Sequence, residues 1–455
     1  MGEGRGGGEE SLCCPLPLIR SHQGRGDIFG KVIYESKHNW NDAMNAEIIT
    51  IGNELVSGSV IDTNSSFLAE RLLSIGIEVT RITSVGDNEL DITDSLESAL
   101  QRSEVILITG GLGPTPDDIT AEVAAKTLGR ELVINEEALD WVKGFFKKLG
   151  LEMSPNNEKQ ALIPERTELI MNPTGTACGF LAREKDKLVF FLPGVPRELV
   201  RMTDESILPI LQREKGEGFQ FKTTTLKVFG LGESKIAELI KDVVQKCESV
   251  RIGFLPNYPE NYIKITAKGL DYEETSTIVS TIEEEITKQL GDYIFGRDDQ
   301  TLEGVVGDLL RENRDTIAVA ESCTGGLISH RLTNVPGSSD YMMRGIVAYS
   351  NQAKTDLLNI PASLIDESGA VSSKVAEKMA QGVRELGKTT LGLAVTGIAG
   401  PGGGTPDKPV GLVFISLSDK KETVLKGYNF PGNRAQIRLA ASHAALDLVR
   451  RYYLK

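Results

Sequence analysis

The sequence predicts an α/β protein in which two parallel-sheet α/β domains are joined by a small α+β module. Three observations predict it. Short apolar runs alternate with amphipathic stretches from Ala46 to about Gly194, the same alternation resumes after Thr301, and the segment from about Phe219 to Gly296 interrupts it with a different pattern. With 455 residues, the chain has room for about two to four domains of ordinary size.

Composition narrows the function classes. The chain is 40% apolar and 25% charged, an ordinary globular balance. Acidic residues outnumber basic ones, 64 to 50, for a formal charge of −14. That excess counts against a nucleic-acid surface, which needs clustered Lys and Arg to neutralise phosphates. No run approaches the ~20 apolar residues that span a bilayer, so no membrane partner is expected. The five cysteines, Cys13, Cys14, Cys178, Cys247 and Cys323, lack CxxC spacing and suit a reducing cytoplasm. Four histidines are too few for a multi-histidine metal centre.

Taken in order, residues 1–43 open on the low-complexity run Gly2 to Gly8 and read as a disordered leader, with Met44 standing directly before the first strand. Residues 44–216 form the first domain: the strand AEIITIG, the helix DTNSSFLAERLLSIG, the strand IEVTRITSV, the helix ELDITDSLESALQRS and the strand EVILITGG. A further helix follows GGLGPTPDD, and short strands with Pro and Gly punctuation complete the domain up to LVFFLPGVPRE. Residues 217–298 form the module, with FKTTTLKVFG and YIKITAKG as strands and LGESKIAELIKDVVQ and YEETSTIVSTIEEEITKQLG as helices. Residues 299–455 return to the alternation with TIAVAESCTGG, MMRGIVAYS, TLGLAVTGIAG and GLVFISLS.

The sharpest chemical signal is Ala320-Glu321-Ser322-Cys323-Thr324-Gly325-Gly326, which ends a strand and opens a helix. A serine there sits beside the N–H groups of a helix N-terminus, which stabilise a developing oxyanion. The same residues also serve as plain helix caps. For a base, Lys354 in Tyr349-Ser350-Asn351-Gln352-Ala353-Lys354 is preferred to His330, because that segment also ends a strand and burial frees a lysine of its proton. A solvated lysine is the commoner case. Cys323 ranks behind Ser322 as nucleophile, since no histidine is placed to make its thiolate. The glycine-rich Val395 to Gly404 follows a third strand, with N–H groups suited to a phosphate or carboxylate, and Arg434 and Arg438 add charge that clamps phosphate. In the first domain, Gly110, Gly111 and Gly113 precede Asp117 and Asp118. Two carboxylates beside a phosphate cradle make sense when a divalent cation bridges them; otherwise they cap the helix. Glu54 and Asp62-Thr63-Asn64 lie on the same sheet edge.

In this order the motifs resemble the competence/damage-inducible CinA family, from Met44 to Lys455. GNELVSGSVIDTNSSFLAERL, VGDNE, GGLGPTPDDIT, NPTGTACGF and LPGVPRE resemble its molybdopterin-binding-like domain, GLGES its KH-like module, and AESCTGG, PGSS, VAYSNQAK, AVSSKVAE and VTGIAGPGGGTPDKPVG its nicotinamide-nucleotide amidase domain. The resemblance implies deamidation of nicotinamide mononucleotide to nicotinic acid mononucleotide and ammonia, a step of pyridine-nucleotide salvage that needs no cofactor. It makes Ser322 the nucleophile and Lys354 its base, 32 residues on, with Ser339 and Tyr349 assisting. Thr324, Gly325, Gly326, Thr396, Gly397, Gly400, Gly402 and Arg434 would hold the substrate, with Arg438 as a rival to Arg434. For the first domain it implies ADP-ribose pyrophosphatase activity with a divalent metal (Mg, Mn or Co) at Asp117 and Asp118, and ligand contacts from Gly110, Gly111, Gly113, Asn157, Lys159 and Gln160. Cys178 stands where the family usually has proline. A cytoplasmic homodimer acting on small nucleotides is expected. The alternatives are a non-catalytic DNA-uptake accessory protein, against which Gly230-Leu231-Gly232-Glu233 lacks the basic GxxG loop of a nucleic-acid-binding KH domain, and a molybdopterin-binding protein.

Overall fold

The computed structural model describes residues 44–215, 219–245 and 250–454; the expected leader lies outside the described residues. The first sheet combines β1 (Asn45–Ile51), β2 (Glu78–Val85), β3 (Val105–Thr109), β6 (Thr167–Ile170), β7 (Gly179–Glu184) and β8 (Lys187–Leu192) in the order β2-β1-β3-β8-β7-β6, while β4 (Leu132–Ile134) and β5 (Leu162–Pro164) make a separate ribbon. Its centre is parallel, and β6 and β7 extend it antiparallel. Helices cover both faces, so β1 and β3 are buried almost throughout, β3 with a nearly apolar run and β1 with Glu47 and Thr50 among its buried residues. Helix α1 (Asn64–Ser74) packs Leu68 and Leu72 with Leu107 and Phe190 on one face, and α2 (Glu89–Arg102) packs Ile92 and Leu96 with Ile108 and Phe191 on the other.

The middle module is an antiparallel sheet of β9 (Gln220–Phe229), β10 (Val250–Asn257), β11 (Glu260–Gly269) and β12 (Ile294–Arg297), in the order β10-β11-β9-β12. The long helix α4 (Tyr272–Leu290), numbered after α3 (Thr120–Thr127) of the first domain, buries Ile278, Ile282 and Ile286 against it. The sequence reading had no strands at β10 and β12. Gly253 and Pro256 punctuate β10, and β12 is only four residues long, so neither shows a clean period.

The third sheet orders β13 (Ile317–Glu321), β14 (Met342–Val347), β15 (Leu391–Gly397), β16 (Leu412–Ser418) and β17 (Thr423–Asn429) as β14-β13-β15-β16-β17. β14, β13 and β15 run parallel, while β16 and β17 add on antiparallel. Around it pack α5 (Leu302–Glu312), α6 (Leu327–Thr333), α7 (Asn351–Leu358), α8 (Ser373–Gly387) and α9 (Arg434–Tyr452). In both α/β sheets the chain reverses its winding beside the first strand, between β1 and β3 and between β13 and β15. Crevices at the carboxyl ends of such strand pairs are where ligands of open α/β sheets bind. Among the described residues, no helix is long and apolar enough to cross a membrane.

Candidate active site

Ser322 follows the last residue of β13, and Lys354 lies on the first turns of α7, the helix after the neighbouring strand β14. Parallel neighbours end at the same edge, so residues 32 apart in sequence meet: Lys354 Nζ lies 3.1 Å from Ser322 Oγ. Lys354 is 1% exposed and Ser322 8%. The lysine nitrogen also donates to the carbonyls of Ala348 (2.8 Å) and Tyr349 (3.2 Å). Burial pushes the Lys354 ammonium below its ordinary value of 10.5. A neutral amine has two N–H bonds and one lone pair. The two carbonyls take the two N–H bonds, which leaves the lone pair for the serine hydroxyl. The arrangement therefore suits a base.

The turn after Ser322 is organised by Glu321, which the sequence reading did not single out. This carboxylate is fully buried and accepts from the amides of Gly326 (3.0 Å), Ile328 (3.1 Å) and Ser329 (2.8 Å) and from the Ser329 hydroxyl (2.7 Å). The N-terminus of α6, expected to face an oxyanion, is thus already filled by the protein's own carboxylate. Among the described residues, the Cys323 and Thr324 amides donate to no protein oxygen, so they are the donors left for one. Gly326 has φ +94°, a left-handed turn that costs a side-chain-bearing residue conformational energy. Thr324 is fully buried and its hydroxyl has no partner. Burial pushes the Cys323 thiol up to about 12, which removes it as a rival nucleophile near neutral pH.

Two arginines of α9 lie beside this turn. Arg434 donates to the Gly400 carbonyl (2.7 Å) and the Tyr349 hydroxyl (3.2 Å), whereas Arg438 is spent on the Thr324 carbonyl (2.8 Å and 3.3 Å). Arg434 is thus the arginine tied to Tyr349 and the glycine loop. Thr396 is buried and donates to the Ala370 carbonyl (2.9 Å), beside Gly397 at the end of β15. Gly402 is exposed, with open space around it. His330 is exposed and faces Asn334 of its own helix.

Ser339 does not join them. It lies on the short turn Ser338–Asp340 before β14, and β14 begins opposite Ile317, the first residue of β13. At ~3.3 Å per residue, the length of β13 separates it from Ser322 by roughly 16 Å, at the other edge of the sheet.

The first domain carries a cleft of about 580 Å³ at the carboxyl ends of β1 and β3. Glu54, Asp62, Asn64, Gly110, Gly111, Gly113, Asp117, Asp118, Gln160 and Glu198 line it. Gly111 has φ +65°, and a Cβ there would lie 2.2 Å from the Thr120 hydroxyl, so backbone and helix α3 meet without a side chain between them. Asp117 and Asp118 both lie 2.5 Å from Thr115 Oγ1. The Thr115 amide also donates to Asp118 (2.8 Å), so Thr115 gathers the two carboxylates side by side and sets their oxygens at one point of the cleft. Among the described residues, no third acidic, His or Cys ligand completes a cluster with them. Two carboxylates without a full cage fit a cation such as Mg²⁺, which shares its coordination with ligand phosphates and water. The Thr115 hydrogen bond, its own backbone and Lys159 hold the Asp117 carboxyl below the usual range. Lys159 donates to the Thr115 carbonyl (2.8 Å) and so braces the aspartate loop. Asn157, expected at the ligand, is buried and is not among the residues lining this cleft; it donates to the Gln160 carbonyl oxygen (3.2 Å) and orients that side chain instead.

Sequence profiles match along the whole described chain: "Probable molybdopterin binding domain" over residues 47–213, "Damage-inducible protein CinA KH domain" over 223–296 and "CinA C-terminal domain" over 299–453. A CinA-like protein of Geotalea uraniireducens (strain Rf4) is 45% identical over 412 residues, which is 90% of this chain and 98% of that protein. The chain belongs to the CinA family. A second CinA-like protein, of Geobacter metallireducens, is 44% identical over 411 residues, covering 90% of this chain and all of its own length. Among solved structures, the protein CinA of Thermoplasma acidophilum is 38% identical and covers 37% of this chain and 98% of its own, with a TM-score of 0.35.

Two carboxylates of this CinA-family chain had no role in the sequence reading. Glu321 hides in AESCTGG, where the serine draws attention. Glu198 of LPGVPRE lines the first-domain cleft, where burial raises its carboxyl while Asn172 donates to it (2.7 Å). The signal available for both was a carboxylate flanking the connection from a buried strand into a helix, Glu321 at the strand's last residue and Glu198 in the helix's first turn.

Proposed function

We propose that the C-terminal domain hydrolyses the amide of nicotinamide mononucleotide, giving nicotinic acid mononucleotide and ammonia. The observation that carries this reading is the 3.1 Å contact between Ser322 and a lysine buried to 1% exposure. The Lys354 amine takes the Ser322 proton as Oγ bonds to the carboxamide carbon. The carbonyl oxygen becomes an oxyanion, held by the Cys323 and Thr324 amides. Collapse breaks the carbon–nitrogen bond, and the Lys354 ammonium gives its proton to the departing amide nitrogen, which leaves as ammonia. Water, losing a proton to the same amine, then attacks the acyl-serine and releases the acid. Arg434, beside the Tyr349 hydroxyl and the Gly400 carbonyl, suits the ribose phosphate. Ser322→Ala and Lys354→Ala are each expected to abolish ammonia release while melting within a few degrees of the parent; activity near the parent level in either defeats the dyad.

A second activity, metal-dependent cleavage of ADP-ribose, is favoured by the first-domain cleft. Asp117 and Asp118 would hold the cation, which when bound neutralises diphosphate charge. Gly110, Gly111 and Gly113 bring backbone close to the phosphates, Gln160 reaches the ligand, and Lys159 braces the loop. Release of AMP from ADP-ribose with added Mg²⁺, lost in Asp118→Asn or with a chelator, is the expected result.

A further inference from the structure

Helix α9 starts with the arginines of the C-terminal site, Arg434 and Arg438, yet from Ala440 to Arg450 every one of its residues is buried. A surface helix keeps one polar stripe in water; a helix buried all round has a second body on its back. That cover is shared: Leu302 and Leu310 of α5 and Ile328 and Leu332 of α6 pack in the same core as Ala441, Ala445 and Leu448, and the middle module closes what they leave, with Phe229 and Phe295. On the first turn of α9, the Tyr258 hydroxyl donates toward the carbonyls of Gln436 (3.4 Å) and Pro431 (3.5 Å), on either side of Arg434. Two turns on, Glu260 Oε1 lies 3.4 Å from His443 Nε2, and the His443 ring packs 4.5 Å from Phe229 and 5.5 Å from Phe295. At the far end, Arg450 donates to the carbonyls of Asp292 and Ile294. Tyr258 and Glu260 belong to one tight connection, since Asn257 of β10 pairs with Glu260 of β11.

We propose that the middle module is a positioning element for the C-terminal site: the β10–β11 turn, through Tyr258 and Glu260, fixes the first turns of α9 and so sets where Arg434 presents its guanidinium to the substrate's phosphate. The substrate part of this statement rests on the function proposed above; the mechanical part does not. The module then acts first on substrate affinity, because the Ser322–Lys354 pair is built on β13 and α7 and the α9 turns reach it only through the grip of Arg438 on the Thr324 carbonyl.

The test uses the full-length chain carrying Tyr258→Ala, Glu260→Ala and both together. Hydrogen exchange of peptides covering residues 433–443 is expected to quicken at least tenfold in the double variant, while peptides of β13 and β15 keep their protection. With nicotinamide mononucleotide, KM is expected to rise severalfold and kcat to stay within twofold. Unchanged exchange over 433–443, or a fall in kcat at constant KM, overturns the proposal. An inert parent protein sinks the proposed activity instead, and the exchange measurement still decides whether the turn holds the helix.

Discussion

At the scale of single residues, the proposed hydrolysis depends on the protonation of Lys354. Only the neutral amine accepts the serine proton, and burial lowers its pKa, so ammonia release is expected to rise with pH to an inflection below the free-lysine value of 10.5. An inflection at or above that value contradicts a buried base. Glu321 gives a second expectation. Glu321→Gln turns one acceptor into an NH₂ group facing amide N–H donors, so the turn shifts and kcat falls by up to about 10²-fold with KM little changed, as misplacement of a nucleophile does. Steady-state kinetics on a variant of unchanged melting temperature checks it. The dyad was legible because Ser322 directly follows one strand pattern and Lys354 opens the helix after the next, which puts them at the same sheet edge. Ser339 was misplaced because a motif carries no polarity: PGSS precedes its strand, whereas AESCTGG and VAYSNQAK follow theirs. The Arg434–Arg438 choice was open in NRAQIR, since the two lie one helical turn apart and only their partners distinguish them.

At the scale of elements, the turns are more specified than the helices and strands they join. Gly111→Ala would drive a methyl into the Thr120 hydroxyl at a left-handed position, so it is expected to lower first-domain stability by roughly 1–3 kcal/mol and to weaken AMP release. Thermal melting and the AMP assay check both effects together, and an unperturbed melt argues against the close approach. Helices with a clear apolar stripe, such as α2 and α4, were readable from periodicity. The last helix, expected to start at Arg434 and Arg438, is α9, although burial along its later turns leaves it no polar face to mark its phase. β17 was missed as an edge strand whose residues are mostly exposed or half-buried, where no core enforces alternation.

At the scale of the whole molecule, the buried contact between the middle module and the C-terminal domain ties stability to pH. Burial first, then Arg331 and Arg450, push His443 down to about 2. Between that value and the ordinary 6.5, the unfolded chain binds a proton that the folded chain refuses, so stability falls as pH drops below about 6.5, by at most ~1.4 kcal/mol per pH unit. Glu260, raised by burial, takes up a proton in the folded state and works the other way, and Glu303 lies beside Arg331. His443→Leu is therefore expected to melt with a shallower pH dependence than the parent between about pH 4 and 6.5. Equal slopes would mean that His443 is not held neutral.

The tandem of two α/β units around an α+β module was visible from alternation alone, while the docking of one unit on another was not, since it depends on Tyr258, Glu260 and His443 meeting across nearly two hundred positions. The most direct test of the central claim is a rapid-quench reaction with nicotinamide mononucleotide, followed by peptide mass analysis. An acyl adduct on the peptide containing Ser322, formed with the ammonia burst and absent from Ser322→Ala, is the predicted result. Steady ammonia release by Ser322→Ala, with no adduct on the parent, would contradict it.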